Sequence, residues 1–304
     1  MKESKIAIIG AGLVGSTIAY TLMLKNVIAE IILVDIDEVR CTGEVLDLSD
    51  ALAFCETSIV RSGTSQDASL ANIIIIAAGK KQEPRQDRSE LAQTNKKIVA
   101  SIINNIKPIR EDTIILMVTN PVDVLTHYTQ KISGLLHNQV IGSGTYLDTQ
   151  RLRGLLAKKI GIARQSVDVY ILGEHGDSQV PIWSTAHING SLIKDFIDLN
   201  NQKLEQIAQE TRRRAYEIIE CKGATYYGIA SCVTDICEAI LFDQKQIFPI
   251  SCYIKEYDTC LSMPVVLGVH GVESIVPTHL NETEQKQLQE SAIKIKKITS
   301  TLGI

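Results

Sequence analysis

His175 stands in Gly173-Glu174-His175-Gly176-Asp177-Ser178, between glycines and just past an aliphatic run. Imidazole changes charge near neutral pH, so a histidine at a strand end is well placed to move a proton. The other histidines, His127, His137, His187, His270 and His279, lack that setting and read as structural. His175 needs a partner to count as more than structural itself. Asp148 and Arg151 lie three apart in Leu147-Asp148-Thr149-Gln150-Arg151, so a helix would place them on one face. Their plain alternative is a surface ion pair, which contributes little. A second chemistry is written near the start. Gly10-Ala11-Gly12-Leu13-Val14-Gly15 is a G-x-G-x-x-G whose glycines suit a tight turn, close approach to a pyrophosphate and close helix–sheet packing. The helix it opens would offer unpaired N–H groups to phosphate. Asp35, twenty residues past Gly15, can accept hydrogen bonds from a ribose hydroxyl and would repel a 2′-phosphate, which points to NAD rather than NADP. Ala78-Gly79 offers a small-residue floor for such a cofactor.

These residues need elements to hold them. In the first half, Lys5 to Ile9, Ile31 to Val34, Ile73 to Ala77 and Thr113 to Val118 are aliphatic runs. Amphipathic stretches at Leu13 to Lys25, Gly43 to Ala53, Ser89 to Lys107 and Val122 to Lys131 alternate with them. Continuous apolar strands between helices predict a parallel sheet covered on both faces, a doubly wound α/β (Rossmann) domain over residues 1–145. From residue 146 to 304 the pattern reads as an α+β domain for substrate and catalysis. It predicts helices at Asp148 to Lys159, Gln202 to Glu220, Ile229 to Phe242 and Glu284 to Thr299. Strands are expected at Val167 to Leu172, Ile250 to Ile254 and Pro264 to Val269, with a cleft between the halves.

Composition narrows the classes. The chain has 304 residues, 45% hydrophobic and 22% charged, with a formal charge of −4, so duplex nucleic-acid binding lacks its basic surplus. The runs Arg212-Arg213-Arg214 and Lys294 to Lys297 read as solvated helix faces or subunit contacts. No apolar run approaches the about 18 residues that span a bilayer, and a folded motif by Ile6 leaves no room for a cleavable signal. Seven cysteines without C-x-x-C suggest free thiols in a reducing cytoplasm. H-E-x-x-H is also absent, so no metal site is expected. A non-catalytic NAD-binding sensor would need only the first half.

Taken in order, GAGLVG, QEPRQDR (Gln82 to Arg88), VTNPVDVLT (Val118 to Thr126), IGSGTYLDTQRLR (Ile141 to Arg153), GEHGDS and KGATYYGIA (Lys222 to Ala230) resemble the lactate/malate dehydrogenase family, on its L-lactate side. The resemblance runs from Lys5 to the last helix. It implies that His175 exchanges the hydroxyl proton of a 2-hydroxy acid while hydride passes to or from NAD. Asp148 would hold the imidazole, as the carboxylate does in other His–Asp pairs. Arg151 would grip the substrate carboxylate as a fork, and Arg88 would polarise the ketone oxygen. Asn120 would hydrogen-bond the reacting oxygen and Thr225 would line the far wall. The cofactor set it implies is Gly10, Gly12, Val14, Gly15, Asp35, Arg40, Ala78, Gly79, Ser101, Val118, Thr119, Asn120 and Ser143. A homo-oligomer, tetramer favoured, in the cytoplasm is also implied.

Specificity in the family turns on the position of Gln82, where the malate enzymes carry arginine. A neutral amide offers no counter-charge to a second carboxylate. Enclosing an unpaired charge costs several kcal/mol, and about 1.4 kcal/mol is tenfold, so pyruvate should be preferred over oxaloacetate by orders of magnitude. Arg85, where the family usually has glycine, leaves malate dehydrogenase as the alternative. Arg153 matches a position that contacts an activating sugar bisphosphate in many bacterial relatives. The usual histidine companion is here Asp168, whose charge would repel phosphate, so little activation by fructose 1,6-bisphosphate is expected.

Overall fold

A computed structural model describes residues 4–27, 30–55, 59–80, 88–196 and 200–304, the side chains of residues 88, 89 and 201 excepted. The first half runs β1 (Lys5–Ile9), α1 (Leu13–Leu24), β2 (Glu30–Val34), α2 (Glu38–Ala51), β3 (Ile59–Ser62), α3 (Ser65–Ser69), β4 (Ile73–Ile76), α4 (Arg88–Ile106), β5 (Ile114–Met117), α5 (Val122–Ser133) and β6 (Val140–Gly142). The second half runs α6 (Tyr146–Ile160), β7 (Val167–Asp168), β8 (Ile171–Gly173), β9 (Gln179–Pro181), β10 (His187–Ile188), β11 (Ser191–Leu192), α7 (Asn201–Lys222) and α8 (Tyr227–Leu241). It closes with β12 (Gln246–Ile254), β13 (Thr259–Gly268), β14 (Gly271–Ile275) and α9 (Glu282–Thr301).

Strands β1 to β6 are parallel in the order β3-β2-β1-β4-β5-β6, the doubly wound arrangement. Their side chains explain why. Ile73 to Ile76 are all fully buried, as a strand covered by helices on both faces requires. The sheet does not stop there. Gly142 of β6 pairs antiparallel with Ser251 of β12, and the order continues through β13, β8 and β9, with β14 on β13. Gly142 permits the join, because a Cβ there would sit 2.5 Å from Thr126 Oγ1 and 2.8 Å from Val122 Cγ2. A buried apolar cluster accordingly spans both halves, from Ile6 and Leu33 to Val233, Leu261 and Ile295.

The run Val167 to Leu172 is not one strand. Val167–Asp168 pairs with β10 in a separate three-stranded sheet, whereas Ile171–Gly173 joins the main sheet beside β9 and β13. Helix α2 begins at Glu38 rather than Gly43, because the Asp37 side chain caps it by accepting the Arg40 N–H at 3.0 Å. The two strands predicted around residues 250 and 265 are longer, forming a hairpin whose register runs from Gln246↔Leu267 to Ile254↔Thr259. The basic runs are engaged in ion pairs: Arg212 with Glu205 at 3.4 Å, Arg214 with Glu210 at 3.3 Å and Lys294 with Glu174 at 3.1 Å. Among the described residues, no helix is long and apolar enough to cross a membrane.

Candidate active site

The glycine-rich turn joins β1 to α1 at the point where strand order reverses between β1 and β4, the crevice where such sheets bind ligands. Gly10 has φ +107°, and a Cβ on it would lie 2.5 Å from Ala78 N. A Cβ on Gly15 would lie 1.9 Å from Gly10 O, so helix and strand close together only through glycine. Gly12 faces open space: a Cβ there meets nothing nearer than Arg40 Nη2 at 4.0 Å. As the N-cap of α1 it also supplies no side-chain acceptor, which leaves the first-turn N–H groups for an anion. Asp35 Oδ2 accepts the Ala11 N–H at 2.7 Å and Oδ1 accepts the Asp37 N–H at 3.0 Å. The carboxylate thus holds the turn and keeps lone pairs for a ribose hydroxyl. It is more than a solvated turn residue. These features fit a dinucleotide. Val14, Val118, Asn120 and Ser143 reach from this turn into the adjoining cleft, while Ser101 is exposed on α4. The Thr119 hydroxyl turns inward, donating to Ala78 O at 2.8 Å.

The cleft, of about 220 Å³, is also lined by Asp148, Arg151, His175 and Thr225. Helix α6 sets Asp148 and Arg151 on one face, where Asp148 Oδ1 accepts from Arg151 Nη1 at 3.0 Å. Asp148 is 3% exposed, so the surface ion-pair reading does not hold. His175 sits on the turn after β8. Gly173, at φ +84°, shapes that turn, and Ser291 Oγ accepts the Glu174 N–H at 2.8 Å behind it. The ring Nδ1 lies 2.5 Å from Asp148 Oδ2. A carboxylate can only accept, so Nδ1 carries the hydrogen and Nε2 is the nitrogen able to exchange a proton in the cleft. Burial works against the charge on both groups. It pushes the His175 imidazole down, yet the Asp148 carboxylate beside it wins and the net direction is up. Burial likewise pushes Asp148 up, and the His175 and Arg151 charges more than reverse it, leaving the carboxyl below its ordinary range. A proton donor that stays charged to higher pH, beside a cation that can bind a carboxylate, is the equipment for reducing a keto acid.

Gln82 and Arg85 lie outside the described residues, as does the side chain of Arg88, whose backbone opens α4. Arg40 lies beside the glycine turn, with Nε 3.9 Å from Glu44. Two supporting residues escaped the sequence reading. Buried Asn95 accepts the Lys80 N–H at 2.7 Å and donates to Asn120 O at 2.7 Å, tying α4 to the Asn120 segment. Buried Asp123 accepts the His175 main-chain N–H at 2.8 Å. The available signal for Asp123 was a lone charge within the apolar run Val122-Asp123-Val124-Leu125.

Residues 4–142 match the lactate/malate dehydrogenase NAD binding domain, and residues 145–302 match the lactate/malate dehydrogenase alpha/beta C-terminal domain. The chain belongs to the lactate/malate dehydrogenase family. Within that family it is 43% identical to L-lactate dehydrogenase A of Rhizopus oryzae, over 97% of this chain and 92% of that protein. It is 40% identical to the L-lactate dehydrogenase of Thermus aquaticus, over 98% and 99%. Among solved family structures, MGS-M5, a lactate dehydrogenase enzyme from a Medee basin deep-sea metagenome library, superposes with a TM-score of 0.95 at 37% identity over all of both chains.

Proposed function

We propose that this dehydrogenase interconverts L-lactate and pyruvate with NAD, His175 exchanging the proton. The observation that carries the reading is the buried contact of His175 with Asp148, and of Asp148 with Arg151, in a cleft that opens onto the glycine-rich turn. Gly10, Gly12, Gly15 and Asp35 hold NAD, which when bound gives or takes the hydride. His175 Nε2 delivers the proton to the keto oxygen and recovers it in the reverse direction. Asp148 holds the tautomer and stabilises the imidazolium. Arg151 grips the substrate carboxylate, Asn120 contacts the reacting oxygen, Thr225 walls the cleft, and Arg88 is assigned to the ketone by its sequence position. Gln82, likewise by position, faces the substrate tail and selects the methyl of pyruvate over a second carboxylate; the names of the relatives support that choice over malate. A boundary near residue 145 separates the cofactor half from the catalytic half. Exposed Ile36, Val39, Leu46 and Phe54, on and beside α2, support a homo-oligomer, which we take as a tetramer. Seven unpaired cysteines support a cytoplasmic location.

The test is the rate of NADH oxidation with pyruvate and with oxaloacetate, for the native chain and for Gln82→Arg. Pyruvate should win in the native enzyme and lose ground in the variant. Faster oxaloacetate reduction by the native enzyme under matched conditions overturns the substrate, and undiminished turnover by His175→Ala overturns the mechanism.

A further inference from the structure

A cavity of about 560 Å³ lies beside the catalytic cleft, between β9, α7 and α9. Asp177, Gln179 and Arg212 line both spaces, so the two adjoin across these side chains. Gln179 opens β9 opposite Gly173 and closes the turn that carries His175, its main-chain N–H donating to Gly176 O at 3.3 Å. The residue is 5% exposed, and its Nε2 amide finds no acceptor among the described residues. Arg212 repeats the pattern one turn of α7 before Tyr216. Its Nε is buried with no acceptor among the described residues, and Nη2 meets the exposed Glu205 at 3.4 Å. The carboxylates nearby are better supplied. Glu284 accepts the Trp183 and Ser184 N–H groups at 2.8 and 2.9 Å, and Asp177 accepts the Tyr216 hydroxyl at 3.2 Å. Glu174 is met by Lys294 at 3.1 Å, while Glu205 and Glu290 lie exposed on the rim. The fold therefore satisfies its buried acceptors here and leaves two donors over, which is costly unless a guest answers them. The guest that fits only accepts: the two oxygens of a carboxylate can take the guanidinium fork and the amide N–H together. The Arg212 side chain is 27% exposed, so the guanidinium has room to turn toward it.

We infer that this cavity is a second binding site for small monocarboxylates, in which Arg212 and Gln179 hold the anion before Arg151 takes it in the cleft. A carboxylate held there is one side chain away from the cleft, and its local concentration at the entrance rises accordingly. The supply role rests on the proposed pyruvate reduction, whereas the binding itself depends only on the donors lining the cavity.

Trp183, the sole tryptophan of the chain, lines this cavity, so its emission reports occupancy. Acetate is the probe, because it has the carboxylate and no ketone to react. Titrated into the NAD-loaded protein at constant ionic strength, it should change Trp183 emission along a saturable curve. The change should persist in Arg151→Gln, where the catalytic grip on a carboxylate is gone. In Arg212→Gln the Kd for acetate should rise at least about tenfold. A silent Trp183, equal curves for native and Arg212→Gln, or a response abolished by Arg151→Gln each overturns the site. Saturation by inorganic phosphate but not by acetate overturns the ligand class. Should Arg212→Gln not fold, Gln179→Met keeps the length and removes the amide donor; a several-fold weaker Kd is expected, and an unchanged one overturns the site. For the supply role, Arg212→Gln should raise KM for pyruvate several-fold with kcat within about twofold of native, and an unchanged KM overturns it. A native enzyme inert to pyruvate sinks the proposed function separately, and the Trp183 titration still judges the site.

Discussion

Replacing Asp148 by asparagine preserves the side chain's shape and removes its charge. In the native protein the carboxylate lies 2.5 Å from His175 Nδ1 and 3.0 Å from Arg151 Nη1. Unit charges about 4 Å apart at an effective dielectric of about 20 attract by about 4 kcal/mol, a ceiling on what Asp148 lends the imidazolium. At about 1.4 kcal/mol per factor of ten, the largest loss in kcat/KM is on the order of 10² to 10³. That loss depends on pH. Pyruvate reduction starts from the imidazolium, so it declines as pH rises through the raised His175 value. Without the carboxylate, burial and the Arg151 charge both push His175 down, and the alkaline limb moves to lower pH. Below the limb the imidazolium exists in both proteins, and the asparagine carbonyl still accepts the Nδ1 hydrogen. There the loss should shrink to about tenfold or less. Steady-state NADH oxidation from about pH 5 to 9 measures both limits. A loss of one size at every pH, with the limb unmoved, refutes the electrostatic account and leaves Asp148 with orientation alone.

Gly15→Ala would place a Cβ 1.9 Å from Gly10 O, so the turn must open. NADH affinity, read by fluorescence, should drop at least about tenfold, and an unchanged Kd would contradict the fit of the turn to a dinucleotide. Asp168 is paired with Arg153 at 2.9 Å and lies 3.4 Å from His187, so its negative charge occupies the arginine a sugar phosphate would need. Added fructose 1,6-bisphosphate should leave the pyruvate half-saturation in place; a several-fold fall would show that the pair opens. His127 is held down to about 4, first by burial and then by Lys131, against an ordinary 6.5. Its depressed value means the fold loses stability as pH falls from 6.5 toward about 4, because the unfolded chain takes the proton first. The urea midpoint of His127→Gln should therefore fall less over that interval than the native one, and parallel falls would assign the acid sensitivity elsewhere.

The cofactor half was legible because its signals are local. A glycine is needed at 10 and 15 for reasons of backbone distance, and four consecutive isoleucines can hardly be anything but a doubly covered strand. Asp148 and Arg151 were legible as a pair through helical spacing, but their contact with a histidine 27 positions away depends on tertiary folding. Asp123 and Asn95 were missed for the same reason, since each acts on a main-chain group brought near by another element. Strands β3, β6 and β9 were missed because they are short and, unlike Ile73–Ile76, carry polar, glycine or proline residues that break the aliphatic run. The break at Val169-Tyr170 passed unseen because both flanking pieces are aliphatic, although they belong to different sheets.

The Gly142–Ser251 join has an evolutionary and engineering consequence. A foreign catalytic half grafted onto this cofactor half must carry a matching seam, because an ill-fitting graft leaves bare peptide edges on both fragments. Reshaping substrate choice is therefore easier by single replacements around the cleft than by swapping modules, since the ribbon crosses the very boundary along which one would cut.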